Sequence, residues 1–384
     1  MKPAEMSSGI PFLSIDIISN VLQQLPVKSL LRFQTVCKLW KNIIKSPSFI
    51  ASHLEHSIRE NPSLIIVRHF YRNNSFHLYC LDRDMKLSRV PKDPLIDSFK
   101  SVRIFRSCNG VLCVQVDLLP GTLPSLYLWN PATREVMQVP RIRTIMNSCW
   151  ICSLGFAASP TVNDLKIVLV ISISTRGDVS NVVEVYSLST NSWKKIHMAS
   201  LKDMDFRPHC ITSNGSIFWF ATMGGLTSHG GDHTNVIVSF DLEMDEFRLV
   251  TPPPSSRNKI ANLTLYENRL AVFHYSNPSN IGNTPEELWV VEEGIGGSWS
   301  KVLTFGPYPY YVLPLTIWRN KIFFNVFPEY SVEGNNEIGD AGSFLFDLTS
   351  NEVKVCSSRR YDIYSVQRYV ESLVLLRNFH KGKQ

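Results

Sequence analysis

The chain has 384 residues, 44% apolar and 11% aromatic, with only 19% charged and a net charge of +6. That balance excludes a disordered chain, which would be rich in charge and poor in aromatics, and the length predicts two or three domains. The longest apolar run, Ile167-Val168-Leu169-Val170-Ile171, falls far short of the roughly 18 residues that cross a bilayer, and the first dozen residues, which include Glu5, do not read as a secretory signal.

Basic residues are scattered in small groups, such as Arg103 with Arg106 and Arg141 with Arg143. Scattered charge reads as solvated surface rather than a nucleic-acid stripe, so neither a nucleic acid nor a membrane is expected as a partner. Eight cysteines are too few for a disulfide scaffold. Reduced thiols, and a cytoplasmic or nuclear location, are the expectation.

Residues 1–10 read as a flexible N-terminus and 11–58 as a small all-α bundle. Leu13, Ile17, Ile18, Val21, Leu22 and Leu25 share one helical face. Ser14 is placed to cap that helix, with Asp16 in its first turn. Pro26 breaks the pattern and can open the next helix. Val27, Leu30, Leu31 and Phe33 give a second helix, and Val36, Leu39, Trp40, Ile43 and Ile44 a third. Ser46-Pro47 stops that one, and Ser46 or Ser48 begins a fourth containing Phe49, Ile50 and Leu54. So few residues cannot bury all these side chains internally. The bundle either docks on the rest of the chain or offers an apolar face to another protein.

The stretch from Leu13 to Phe33, with Leu25-Pro26-Val27 and Leu30-Leu31, and its continuation Val36-Cys37-Lys38-Leu39-Trp40 through Ser46-Pro47-Ser48-Phe49, closely resembles the F-box of plant F-box proteins. One departure is Ser14, where the family usually has proline. The resemblance implies binding to the Skp adaptor of SCF ubiquitin ligases and, through it, to cullin and RING subunits. By position it implies contacts from Leu13, Ile17, Leu25, Pro26, Val27, Leu30 and Leu31. Trp40 and Ile44 fit bundle core as well as interface.

Residues 60–380 read as strands separated by Asn, Gly, Pro and Ser. A turn signal recurs at Asn61, Asn109-Gly110, Asn163-Asp164, Asn214-Gly215, Asn268-Arg269 and Asn320-Lys321, with an echo at Glu371-Ser372. A second landmark is a strand, a polar turn and then a large apolar residue, reached at Val136, Trp193, Phe247, Trp299 and Val353. Both repeat about every 52 residues, the period of four-stranded propeller blades. The fold class predicted is therefore the helical bundle followed by an all-β propeller of about six blades. The run Tyr369 to Leu376 is expected to close the ring against strands near residues 64–67, hiding two sheet edges. A pair of β-sandwiches is the alternative.

This region also resembles the F-box-associated, kelch-like domain of plant proteins. Ser107-Cys108-Asn109-Gly110-Val111-Leu112-Cys113, Leu128-Trp129-Asn130-Pro131-Ala132-Thr133-Arg134, Phe240-Asp241-Leu242 and Pro314-Leu315-Thr316-Ile317-Trp318 carry the resemblance. The double glycine of true kelch blades is absent. Pollen S-locus F-box proteins share this layout.

Enzyme chemistry finds little support. Cys149-Trp150-Ile151-Cys152 lacks the helix N-terminus that a redox dithiol needs. Adding Cys108 and Cys113 gives a weak zinc set. His229, Asp232 and His233 lie in a glycine-rich loop. No cofactor and no metal is expected. The resemblance implies a non-catalytic substrate receptor that holds a target protein for ubiquitination. The rival is an adaptor-independent scaffold whose helical head packs on its own propeller. Target contacts are expected from loops 141–152, 224–235 and 304–314, with Tyr308, Tyr310 and Tyr311 as candidate anchors.

Overall fold

The computed structural model describes residues 13–376 except 71–74, 100–101, 118–122, 143–148, 161–163, 176–177, 197–200, 202–203, 224–233, 255–258, 279–280, 283, 293–296, 332–341 and 358–362. Four helices come first: α1 (Ile15–Gln23), α2 (Val27–Phe33), α3 (Lys38–Lys45) and α4 (Pro47–Glu60). Ser14 caps α1 as expected, accepting from the Ile17 N–H. Pro26 is the N-cap of α2 rather than its first helical residue. The Cys37 thiol takes the cap position of α3, and Ser46 caps α4 with Pro47 following it. The fourth helix runs to Glu60, past residue 58. Asn61, read as a turn in the repeat, is its C-cap.

Six four-stranded antiparallel sheets follow. Their innermost strands are Ile363–Tyr369, Val102–Cys108, Cys149–Ala158, Met204–Ser213, Lys259–Tyr266 and Tyr310–Trp318, for blades one to six. The six-bladed propeller replaces the sandwich alternative. Second strands are buried on both faces because successive side chains point to opposite neighbours. Leu64 and Ile66 pack toward blade six, while Ile65 and Val67 pack toward blade two. Six such apolar clusters fill the six gaps between blades.

Both landmarks of the repeat have a structural cause. Asn109-Gly110, Asn214-Gly215, Glu267-Asn268 and Arg319-Asn320 each place two successive residues at positive φ. That is the type I′ turn joining inner to second strand; in blades five and six it begins one residue earlier than the sequence suggested. The other landmark is a cross-strand pair at the start of each outer strand: Trp129 with Val136, Tyr186 with Trp193, Phe240 with Phe247, Val291 with Trp299, Phe346 with Val353. Two of these tryptophans reach the preceding blade, Trp193 Nε1 donating to Pro140 O and Trp299 Nε1 to Thr251 O.

The ring closes against the expected partner, but with an earlier segment. Ile363–Tyr369 pairs with Ser63–Phe70, Ser63 lying opposite Tyr369. Residues 370–376, expected to be the closing strand, form an extended tail beneath blade two, so Glu371-Ser372 is not a hairpin. Asn130 Nδ2 donates to the carbonyls of Ser372 and Val374, and Ser372 Oγ donates to Asn109 O. Gly110 makes this approach possible. Its φ is +77°, and a Cβ there would lie 2.5 Å from Ser372 Oγ and 2.7 Å from Val370 O. Gly110→Ala is therefore expected to destabilise the propeller by about 2–4 kcal/mol through backbone strain and overpacking, read as a lowered Tm in thermal denaturation.

Strand alternation gives the propeller two unlike faces. Tight turns from inner to second and from third to outer strands share one face. The longer links between second and third strands and between blades share the other, and residues 304–314 belong to it.

Candidate functional site

The helical head has its own core of Leu22, Val27, Leu30, Ile44 and Phe49, completed by Leu373 of the tail. Gln23 Nε2 donates to Ser52 O, and His53 Nε2 lies 3.0 Å from Leu25 O, so α4 holds the end of α1. The head rests on the tight-turn face at blades one and two. Ala132, in the third-to-outer turn of blade two, packs against it. Arg83, in the corresponding turn of blade one, donates to Glu60 O.

Packing on the propeller leaves one apolar side of the head uncovered. Leu13, Ile17 and Val21 are 61%, 48% and 57% exposed, Ile17 and Val21 one turn apart on α1; Ile15, Val36 and Leu39 are exposed elsewhere on the head. Of the expected adaptor contacts, Leu13, Ile17 and Pro26 lie at the surface and Leu25 and Leu31 are half-buried. Val27 and Leu30 are fully buried. They serve the core between head and tail, and a partner docking on this structure would not reach them. Ile15, Val21, Val36 and Leu39 were not among the expected contacts. The signal that could have found them is the width of the apolar arc on α1, wider than one packing face needs.

Burial lowers the His53 imidazole below its ordinary 6.5, with the Leu25 carbonyl opposing and His56 reinforcing the shift. The folded head therefore holds His53 neutral, while the unfolded chain binds a proton below about pH 6.5. Stability of the head is full above that pH and falls as pH drops toward the folded value. We expect the protection of α1 and α4 amides, relative to their intrinsic exchange rates at each pH, to fall between pH 7 and pH 5, and His53→Gln to flatten that dependence.

On the opposite face, Tyr308 and Tyr310 stack with ring centroids 5.7 Å apart and planes 15° from parallel. Burial raises both hydroxyls above their usual range. Tyr311 belongs to the blades instead, packed against Tyr275 and Phe327. The three tyrosines thus divide into a half-buried pair at the rim and one packing residue. Loop 224–233, with His229, Asp232 and His233, lies outside the described residues, as does 143–148 of loop 141–152.

Cys108 and Cys113 are protonated thiols: burial pushes Cys108 up to about 12 and raises Cys113 as well. Cys149 and Cys152 are free thiols on the inner strand of blade three, and burial raises Cys152 too. Among the described residues no three His, Cys, Asp or Glu gather in a metal-like group, and no helix is long and apolar enough to cross a membrane.

A helical module with one apolar side bare, seated on one face of a six-bladed ring, defines a two-surface binding protein. A family model described as the F-box associated beta propeller domain matches residues 64–319, and one for the F-box domain matches residues 10–52. The chain belongs to the F-box proteins that carry an F-box associated β-propeller. An F-box/kelch-repeat protein of Arabidopsis thaliana is 26% identical over 319 residues, covering 79% of this chain and 82% of the relative. A second F-box protein of that plant is 26% identical over 316 residues, covering 77% and 72%. F-box protein CPR1, also from Arabidopsis thaliana, is 24% identical over 392 residues, covering 94% and 88%.

Proposed function

We propose that the protein is a substrate-receptor subunit of an SCF-type ubiquitin ligase. The helical head binds the Skp adaptor, which links it to the cullin and RING subunits. The long-loop face of the propeller, with Tyr308 and Tyr310 at its rim, holds the target protein. The domain pair and the F-box relatives support a substrate-adaptor role in general. The observation that carries the adaptor contact is the exposed apolar pair Ile17 and Val21 on α1, with Leu13 before it. An apolar patch of this kind on a soluble module marks a docking surface.

The chain's contribution to ubiquitin transfer is proximity. Holding the target beside the charged partner raises its local concentration and makes a bimolecular step effectively intramolecular. No residue of the receptor needs to touch the bond being formed. This reading places the protein in the cytoplasm or nucleus, and it does not extend to the narrower pollen S-locus group. The scaffold alternative is favoured only by the contact between head and propeller, which uses the buried side of the head.

Capture of a purified Skp-type adaptor by the full chain tests the proposal. A stoichiometric complex on gel filtration is expected, and separate elution of the two proteins at micromolar concentration would overturn it.

A further inference from the structure

The inner strands enclose a channel cavity of about 340 Å³. Its lining is unusual in charge: Arg106 from blade two, Arg207 and His209 from blade four and Arg368 from the closing strand border it, and among the described lining residues none is Asp or Glu, the buried Glu286 reaching it only through Tyr275. Three guanidinium groups along one concave wall give it a positive potential that favours an anion. Water alone screens such a cluster poorly when the walls are protein.

The backbone places these groups there. Arg207-Pro208-His209 form a bulge, three residues standing opposite the single step from Ala221 to Trp219. On the inner strand of blade two the pairing slips between Ile104 and Arg106, and on the closing strand it slips next to Val67. Bulges re-aim side chains and are over-represented beside functional sites.

The arginines differ in how far the chain already uses them. Arg207 gives one N–H to Ala261 O and faces the Phe220 ring. Arg368 bonds Ile317 O, Leu265 O and Asn268 Oδ1. These backbone bonds hold the two side chains in place and leave further N–H groups for an acceptor. Arg106 has a different environment. Its charge acts on His209, whose imidazole desolvation within the ring, and then Arg106, hold below the usual range. Two like groups therefore approach each other from blades two and four.

We infer that the central channel is a binding site for a small phosphorylated molecule, whose phosphate oxygens take N–H groups that the channel arginines, Arg106 among them, leave for an acceptor. Guanidinium forks match phosphate oxygens in paired hydrogen bonds, and the volume suits a small organic ligand rather than a macromolecule. Ser365 and Gln367, on the same strand as Arg368, border the same space. A ligand held on the inner strands would stabilise the ring.

Inorganic pyrophosphate is the probe. At fixed ionic strength, titration calorimetry on the full chain is expected to show saturable binding, with Tm rising as the site fills. Arg106→Gln should weaken binding by about tenfold or more, the scale of losing one paired charge-assisted contact. Arg59→Gln, which changes an exposed arginine of the head, should bind as wild type does. Absence of saturable binding to the wild-type protein would overturn the inference. So would equal affinities for wild type and Arg106→Gln, or an equal loss in Arg59→Gln, since either places the anion on the outer surface.

Discussion

Replacing Ile17 and Val21 together by aspartate is expected to abolish capture of a Skp-type adaptor while leaving head and propeller folded. Both side chains are about half exposed, so the free protein loses little burial. An aspartate at position 17 also sits in the first turn of α1, where the helix dipole favours an acid. In a complex the same positions would be desolvated, and two carboxylates would lie unpaired against an apolar groove. Central apolar anchors typically carry about 2 kcal/mol or more each, so the pair corresponds to a loss of at least about 100-fold in affinity. Ile58→Asp, an equally exposed change on α4, should capture the adaptor normally. Undiminished capture by the double variant would exclude this surface. Leu30 is no substitute for this test. It is fully buried, and a charge there would unfold the head before it reported on any contact.

The second large effect concerns Leu373. It is 3% exposed within the head's own core, against Leu22, Val27 and Leu30. Leu373→Asp removes an apolar plug and buries a carboxylate, an expected cost of about 3–5 kcal/mol. The tail should stay in place, because Asn130 holds the backbone carbonyls of Ser372 and Val374. Hydrogen exchange should therefore show α1 to α4 losing protection while the strands of blade two keep theirs. Unchanged protection in the head would mean that its helices are stable without the tail.

These two residues also mark how far the sequence could be read. Apolar spacing located four helices and the Ser14 cap, since both depend on local chemistry. It could not divide the apolar residues of α2 between an outer partner and the chain's own tail. That division depends on Leu373, more than 340 positions away, so the contacts at Val27 and Leu30 that the family resemblance implied could not be checked against the chain's own packing. Blade number followed from turn chemistry, because each positive-φ turn recurs with its blade. The closing strand was placed six residues late for a physical reason. Ser365, Gln367 and Arg368 line the channel, so the true strand looks polar, whereas Leu373-Val374-Leu375-Leu376 looks like a strand but packs as a tail. The channel arginines were invisible as a group. Arg106, Arg207 and Arg368 come from three distant segments, and the sequence shows them only as scattered charge.

The first blade takes its innermost strand from residues 363–369, and this sets a schedule for synthesis. A nascent chain leaving the ribosome presents the helical module and three strands of that blade long before the fourth exists. Until then the segment Ser63–Phe70 keeps an open edge, a template for pairing with other chains. Translation that stopped a few dozen codons early would yield a polypeptide with its ring permanently ajar and its helical head short of Leu373, the residue that completes its core. Such a fragment would be expected to aggregate through that edge.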